Sequence, residues 1–373
     1  MKNLLFMLLA MQLNACQNKE TQIQPTQSKE MQKNQDIKTT FPWEEGLNAP
    51  VGYPVHVYRG GLELANGFVG LSGLGITTGL SGWGSDSNGM SSGIKSLPKK
   101  INCVWLSYAE DCMYEINSEV DYDKIVQLFN QGYVSTVRKK GKIMSTYNTI
   151  MVGFAPGGVV VLWVSGAGRK TEIGRYQGKK IVVSPEEIAS LDSHEKLLFD
   201  PIMRKHVMEN PKIVPKELQA ANKNKPIPFG LWDTYREKYS WRTAFIFPEG
   251  CKMYDDLRLE MINGEKETLL YEEFYENKFQ ERAIPTGLSF SWWDKSGQGY
   301  AGIIDFDEKE ILNAFNTVFK INSGSNAELL FTINKMSTFF TVKLKAENLE
   351  IILLNSTTKV FESSGVTSKY VKE

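Results

Sequence analysis

Surplus charge of one sign, histidine and cysteine are what this sequence has least of. Forty-three lysines and arginines stand against forty-three aspartates and glutamates over 373 residues, so nothing points to nucleic acid or an anionic membrane surface as the main partner. The three histidines, His56, His194 and His206, come without HExxH or CxxC, which leaves a zinc site no local support. Gly73-Leu74-Gly75 lacks a third glycine at dinucleotide-binding spacing, no Gly-Lys-Ser/Thr follows it, and no βαβ unit surrounds it. The expectation is no cofactor and no metal. Long apolar runs are missing too: Leu4 to Met11 is far short of the roughly 20 residues that cross a bilayer as a helix, and Ile150 to Val164 is interrupted by Pro156-Gly157-Gly158.

What is present begins with an address. The short apolar run after Lys2 has the length of a secretory leader and not of a span. It ends in Leu13-Asn14-Ala15-Cys16, which resembles the lipobox of bacterial lipoproteins, in which the leader is cut before the cysteine and the thiol receives a diacylglycerol. The resemblance implies a signal peptide over 1–15 and a lipid anchor on Cys16. Two or three acyl chains there would hold the protein on its membrane. Gln17 rather than aspartate after the cysteine implies outer-membrane retention by the same resemblance, with the protein facing the periplasm. Residues 16–40 are polar with almost no branched apolar side chains and read as a disordered tether, spanning roughly 25 to 30 Å root-mean-square.

With Cys16 lipidated, Cys103, Cys112 and Cys251 remain, an odd number. The first two flank a hairpin turning near Ala109-Glu110-Asp111, offset by about four residues or roughly 13 Å along a strand, beyond the roughly 7 Å between Cα atoms that a disulfide tolerates. Both read as buried thiols.

Strand signals dominate the body. "YPVHVYRG" alternates, "KINCVWLSY" and "CMYEINSEV" are rich in aromatic and branched residues, and "YNTIMVGFAPGGVVVLWV" is two apolar runs around a turn, a hairpin signature. Three capped helices are expected: after Asp121, with Ile125, Leu128 and Phe129 inward; after Ser184, with Pro185 at its first position and Glu187 completing a capping box; and after Asp307, with Ile311, Leu312 and Phe315 inward. The stretch from Leu97 parallels the stretch from Ile284. Each runs apolar-Pro, a strand with a tryptophan (Trp105, Trp292), a turn, a tyrosine-led strand (Tyr114, Tyr300), an aspartate cap and an amphipathic helix. The expected fold is α+β, β-rich, with two related hairpin-plus-helix units and mainly antiparallel sheets, in domains 41–242 and 243–365. Between the units, Trp232, Tyr235 and Tyr239 fall on one face of an expected helix, either an interdomain packing element or, with Arg236, a ligand platform.

The lipobox, "YPVHVY", "GWG" at Gly82 to Gly84, "LPKKINCVWLSYAEDCMY", "VGFAPGGVVVLWVSG", "EIGRYQGKK" from Glu172 and "IPFGLWDTYREKYSWR" together resemble a family of bacterial lipoproteins known only as a domain of unknown function. The resemblance covers most of residues 41 to 242, and the second unit looks like the longer subset of that family. It carries no catalytic residues.

The glycine-dense stretch Gly67 to Gly93 reads as a surface loop suited to function. Within it Gly89-Met90-Ser91-Ser92-Gly93 fits the spacing of a nucleophile elbow but lacks the strand before and the helix after. The function expected is a non-catalytic protein-binding module on the cell envelope, attached to the membrane through Cys16, with Trp105, Glu110, Arg175, Trp232 and Arg236 as candidate binding residues. An immunity protein against a periplasm-delivered toxin, an envelope hydrolase using Ser91, His56 or Glu110, and a carrier of a small or lipidic ligand stand as alternatives.

Overall fold

The apolar stretch around Pro156-Gly157-Gly158 forms the expected antiparallel hairpin, Thr149–Ala155 against Val159–Gly166, with Thr149 opposite Ser165 and Ala155 opposite Val159. All of the first strand and all but Gly166 of the second are buried. Such runs lose the polar alternation of a half-exposed strand because both faces are covered. Ile150, Val152, Phe154, Val160, Leu162 and Val164 point into one core, while Met151, Ala155, Val159, Val161 and Trp163 point into another. The hairpin is thus the wall between two hydrophobic cores.

The structure, a computed structural model, describes residues 37–363 apart from 88, 138–140, 271–272, 275–276 and 322–323. The expected leader, Cys16 and most of the tether lie outside the described residues. Within them, no helix is long and apolar enough to cross a membrane.

The central hairpin belongs to a nine-stranded sheet ordered Glu44–Asn48, Thr149–Ala155, Val159–Gly166, Arg169–Gln177, Lys266–Leu269, Lys252–Met261, Pro285–Trp293, Gly299–Asp305 and Thr357–Ser363. A six-stranded sheet holds Lys179–Ile181, Cys112–Glu119, Pro98–Ser107, Val55–Leu64, Gly67–Gly70 and Ile76–Thr77. It closes the first core together with helix Tyr122–Gln131, whose Ile125 and Phe129 are buried. A five-stranded sheet, Gln280–Arg282, Tyr239–Ile246, Ala327–Ile333, Phe340–Ala346 and Leu349–Leu353, closes the second with helix Glu308–Ile321. Pairing is mostly antiparallel. The parallel pairs are Glu44–Asn48 with Thr149–Ala155, and Tyr239–Ile246 with Ala327–Ile333.

Local readings hold where the chemistry is local. Asp121 accepts from the Lys124 amide, Ser184 from the Glu187 amide with Pro185 at the first helical position, and Asp307 from the Glu310 amide, each satisfying an N–H that the helix start leaves over. Trp105 pairs across its hairpin with Tyr114, and Trp292 across its own with Tyr300. Both pairs are stacked, at 5.4 and 5.6 Å between ring centroids. Cys112 lies opposite Ser107 and Cys103 opposite Ile116, the offset expected of them. Cys103, Cys112 and Cys251 are free thiols.

Two long-range readings change. The helix expected through Trp232, Tyr235 and Tyr239 ends at Thr234, and Tyr239 opens the strand Tyr239–Ile246. Trp241 is fully buried beneath helix Glu308–Ile321, 5.9 Å from the Phe315 ring, so tertiary burial overrides the helical spacing. The expected boundary at residue 242 falls inside that strand. The halves share a core because the outer face of the central hairpin, Met151, Val161 and Trp163, is covered by side chains from beyond it.

Candidate functional site

Each candidate binding residue has a partner inside the protein. Trp105 is enclosed, stacked on Tyr114 and 4.7 Å from the Phe154 ring. Glu110 accepts from the Ser107 hydroxyl and the Tyr114 phenol, both at 2.7 Å, and from the Gly157 amide at 3.2 Å. It thereby clamps one hairpin turn onto another. Burial, then Glu110, pushes the Tyr114 phenol well above its ordinary range. Arg175 makes a two-pronged pair with Asp233, Nε to Oδ1 at 2.8 Å and Nη2 to Oδ2 at 3.0 Å. Arg236 reaches Glu172 at 2.7 Å, and Trp232 is buried. The two arginine pairs dock the segment 231–236 onto the strand Arg169–Gln177, while Trp232 packs edge-on against Tyr53.

Ser91 is held between Glu45 and Lys95. Its hydroxyl donates to the Glu45 carboxylate and accepts from Lys95 Nζ at 2.7 Å. The Met90 and Ser91 amides also donate to Glu45, so the N–H groups nearest the hydroxyl are spent on that carboxylate. Lys95 lies 4.2 Å over the Trp43 ring. Burial pushes the Glu45 carboxyl up, but the Ser91 hydroxyl and the loop amides outweigh it and leave the value below its ordinary one. His56 is not among the hydrogen-bond partners of Ser91. It lies on the strand Val55–Leu64 and faces a pocket shared with His194.

The glycine-dense loop instead builds a cleft on the seam between the cores. Asn48 holds the loop in register, its amide donating to the Gly82 and Ser85 carbonyls at 3.1 and 3.3 Å and its carbonyl accepting from the Gly84 amide at 2.8 Å. Lys170, fully buried on the strand Arg169–Gln177, donates to the Gly84 carbonyl and pairs with Asp86 at 2.6 Å. Burial lowers the Lys170 pKa and Asp86 only partly offsets this. For Asp86 burial raises the value, and Lys170, Ser165 and Lys266 bring it below the ordinary one. Gly84 has φ +72°, and a Cβ there would stand 2.3 Å from the Cα of Gly264, itself at φ +86°. Two backbones thus touch at the seam, where only glycine fits. Trp83 packs edge-on against Trp163, centroids 5.1 Å apart, in space left by Gly153, whose Cβ would lie 2.5 Å from the Trp163 ring.

The cleft encloses about 430 Å³ between this loop, the turn around Tyr53, helix Leu231–Thr234 and the strands that carry Glu260, Gly287 and Asp305. Tyr53, Trp83, Trp232 and Tyr235 give it aromatic walls, and Glu260, Glu265, Asp305 and Glu308 line it against Lys266 alone. The Tyr235 phenol donates to Glu308 at 2.5 Å, and its pKa is pushed up by burial and then by that carboxylate. Aromatic faces beside carboxylates favour a cationic group. Among the described residues no group of three or more His, Cys, Asp or Glu side chains is arranged to hold a metal ion.

The sequence singles out Trp232 as an interdomain packing or ligand-platform residue, and the structure places it in this wall. Sequence alone missed Asn48 and Lys170, for which the only local hint is the glycine density of the loop they hold, and Tyr53, which packs edge-on against Trp232. The protein so described is a β-rich body of packed, mostly antiparallel sheets, with a glycine loop fixed over a seam cleft. The chain belongs to the family described as Protein of unknown function (DUF2931), whose model matches residues 24–230. The match takes in Tyr53 and Trp83 and ends one residue before the helix that carries Trp232. No curated protein and no solved structure matches the chain.

Proposed function

We propose that this protein is a lipid-anchored lipoprotein of the cell envelope, held on the outer membrane through Cys16, and that its body is a non-catalytic module that binds a protein partner at the seam cleft. The observation that carries the reading is the fixed Gly82–Gly84 loop. Asn48 and the buried Lys170 spend their polar groups on holding it, and the result is a preformed aromatic cleft with exposed carboxylates at Asp305 and Glu308. A preformed site avoids the ordering cost that weakens binding by mobile loops. Its charge and walls suit a lysine or arginine side chain offered by the partner, and arginine beside aromatics is a common interface anchor.

The same reading takes the two halves as related copies. In support, each has a hairpin with a stacked Trp–Tyr pair, an aspartate-capped helix and, further along, an antiparallel hairpin whose first strand takes a parallel neighbour; the first half inserts the strands Tyr133–Val137 and Gly141–Ser145 between its helix and that hairpin. The cleft then lies where the copies meet.

The test is a crosslinked pull-down of the intact, membrane-anchored protein, run beside an Asp305→Lys/Glu308→Lys variant and a Cys16→Ala control. A stoichiometric partner captured by the native protein, lost by the charge-reversed cleft and displaced from the membrane in the control is the expected result. Capture that survives charge reversal removes the cleft from the reading. A clean lane in every case overturns the binding module.

A further inference from the structure

A second cavity, separate from the cleft, lies between the outer face of the six-stranded sheet and the helical segment that covers it. The sheet presents Val104, Leu106, Tyr108 and Met113 on this face, and Ile188, Leu198, Phe199, Val207 and Met208 pack onto them. The cover is tied down at its edges. Tyr58 packs edge-on against Phe199 at 5.2 Å and donates to Glu187 at 3.0 Å, while Arg204 pairs with Asp111 at 2.7 Å. Between sheet and cover the packing is incomplete and leaves about 350 Å³, at the lower end of the volumes that hold small molecules.

The lining decides what would fit. Ile76, Leu198, Met203 and Val207 make it mainly apolar, with Leu197 at the exposed side. His56 stands in the wall, and its Nδ1 is buried with no hydrogen-bond partner among the described residues. No lysine or arginine lines the space, whereas Glu195 does, so an anion would meet a carboxylate and no fixed cation. Burial and the neighbouring His194 both hold His56 toward its neutral form, in which one ring nitrogen donates and the other accepts.

We infer that this cavity is a binding site for a small, uncharged, mostly apolar molecule that carries one hydroxyl or carbonyl group, with the polar group against the neutral His56 ring in the wall and the apolar part between sheet and cover. It is independent of the protein-binding reading, since none of its lining residues belongs to the cleft. His194 stands at its mouth. His206, exposed on the helix Pro201–Glu209, is not part of the lining.

With three histidines in the chain, each can be followed separately by selective labelling and NMR. The full chain is titrated with 1-naphthol and, in parallel, with 1-naphthoate, which keeps the ring and replaces the hydroxyl by a charged carboxylate. The expected result is that naphthol shifts the His56 and His194 ring signals and leaves His206 unmoved, that naphthoate binds at least tenfold more weakly, and that Leu197→Trp, at a position 41% exposed, weakens naphthol at least tenfold by filling the mouth. An unmoved His56 signal at saturating naphthol overturns the site. Equal affinity for naphthoate overturns the class of ligand, and unchanged affinity in Leu197→Trp overturns the location.

Discussion

Single residues in this protein are fixed by contacts far away in sequence, and Gly84 is the sharpest case. Its positive φ and its approach to Gly264 leave no room for a Cβ, and alanine at such a position destabilises by more than the ~1 kcal/mol that an entropic gain could return. Gly84→Ala should therefore lower stability by at least about 2 kcal/mol in urea denaturation and weaken partner capture with it; native stability would mean that the seam does not close on this residue. At His56 the sign of the pH effect follows from burial. Its folded-state pKa lies below the ordinary 6.5 because burial, and then the His194 charge, disfavour the imidazolium. The unfolded chain takes up the proton first, so the stability this neutral imidazole supports is complete above pH ~6.5 and is lost as pH falls toward and through the lowered value. Glu195 at the mouth and Glu187 on the Tyr58 phenol are the nearby carboxylates. Denaturation curves at about pH 7.5 and about pH 5 should show a smaller loss for His56→Gln than for the native chain, and parallel losses would refute the assignment.

Between elements, Glu110 separates a structural from a binding role. A carboxylate that accepts two hydroxyls and a backbone amide joins the turn after Pro98–Ser107 to the turn before Val159–Gly166. Glu110→Ala should cost about 2 kcal/mol of stability, since charge-assisted bonds are lost and a part-buried phenol and amide are left over. A surface anchor would lose partner affinity at unchanged stability, and that outcome would restore the sequence-based view of Glu110. The same contrast explains what could be read from the sequence. Helix caps at Asp121, Ser184 and Asp307, the Pro-Gly-Gly hairpin and the register of Trp105 with Tyr114 depend on neighbours within a few residues or across one turn, and all were legible. Arg175 and Arg236 read from the sequence as candidate binding residues because their carboxylate partners, Asp233 and Glu172, sit 58 and 64 positions away. Helical spacing through Tyr239 misled for a related reason. Trp232 and Tyr235 belong to the helical turn, and Tyr239 extends the spacing only by opening the next strand, which buries Trp241 against Phe315.

At the scale of the whole molecule, the central hairpin makes the two cores interdependent. Trp163 illustrates it: its indole N–H donates to the Asn263 carbonyl at 3.1 Å, its ring packs on Trp83, and it belongs to the core that also contains Phe290, Phe315 and Phe331. The opposite face of the same strand, through Leu162 and Val164, belongs to the first core. The halves are joined covalently at one point, but they share this wall, and the second half cannot unfold without leaving Met151, Val161 and Trp163 to water. Burial of such side chains is worth about 1.5 to 3 kcal/mol each, an appreciable share of the 5 to 15 kcal/mol that typically holds a folded chain. The body should therefore melt as one cooperative unit, with a single calorimetric transition whose van't Hoff and calorimetric enthalpies agree. Trp163→Ala, at a cost of about 3 to 5 kcal/mol, should lower that transition as a whole. Two resolved transitions, with only the second shifted by the substitution, would show instead that residues 41–242 and 243–365 fold as separate domains, and the cleft between them would then be a contact between independent bodies and not a feature built into one.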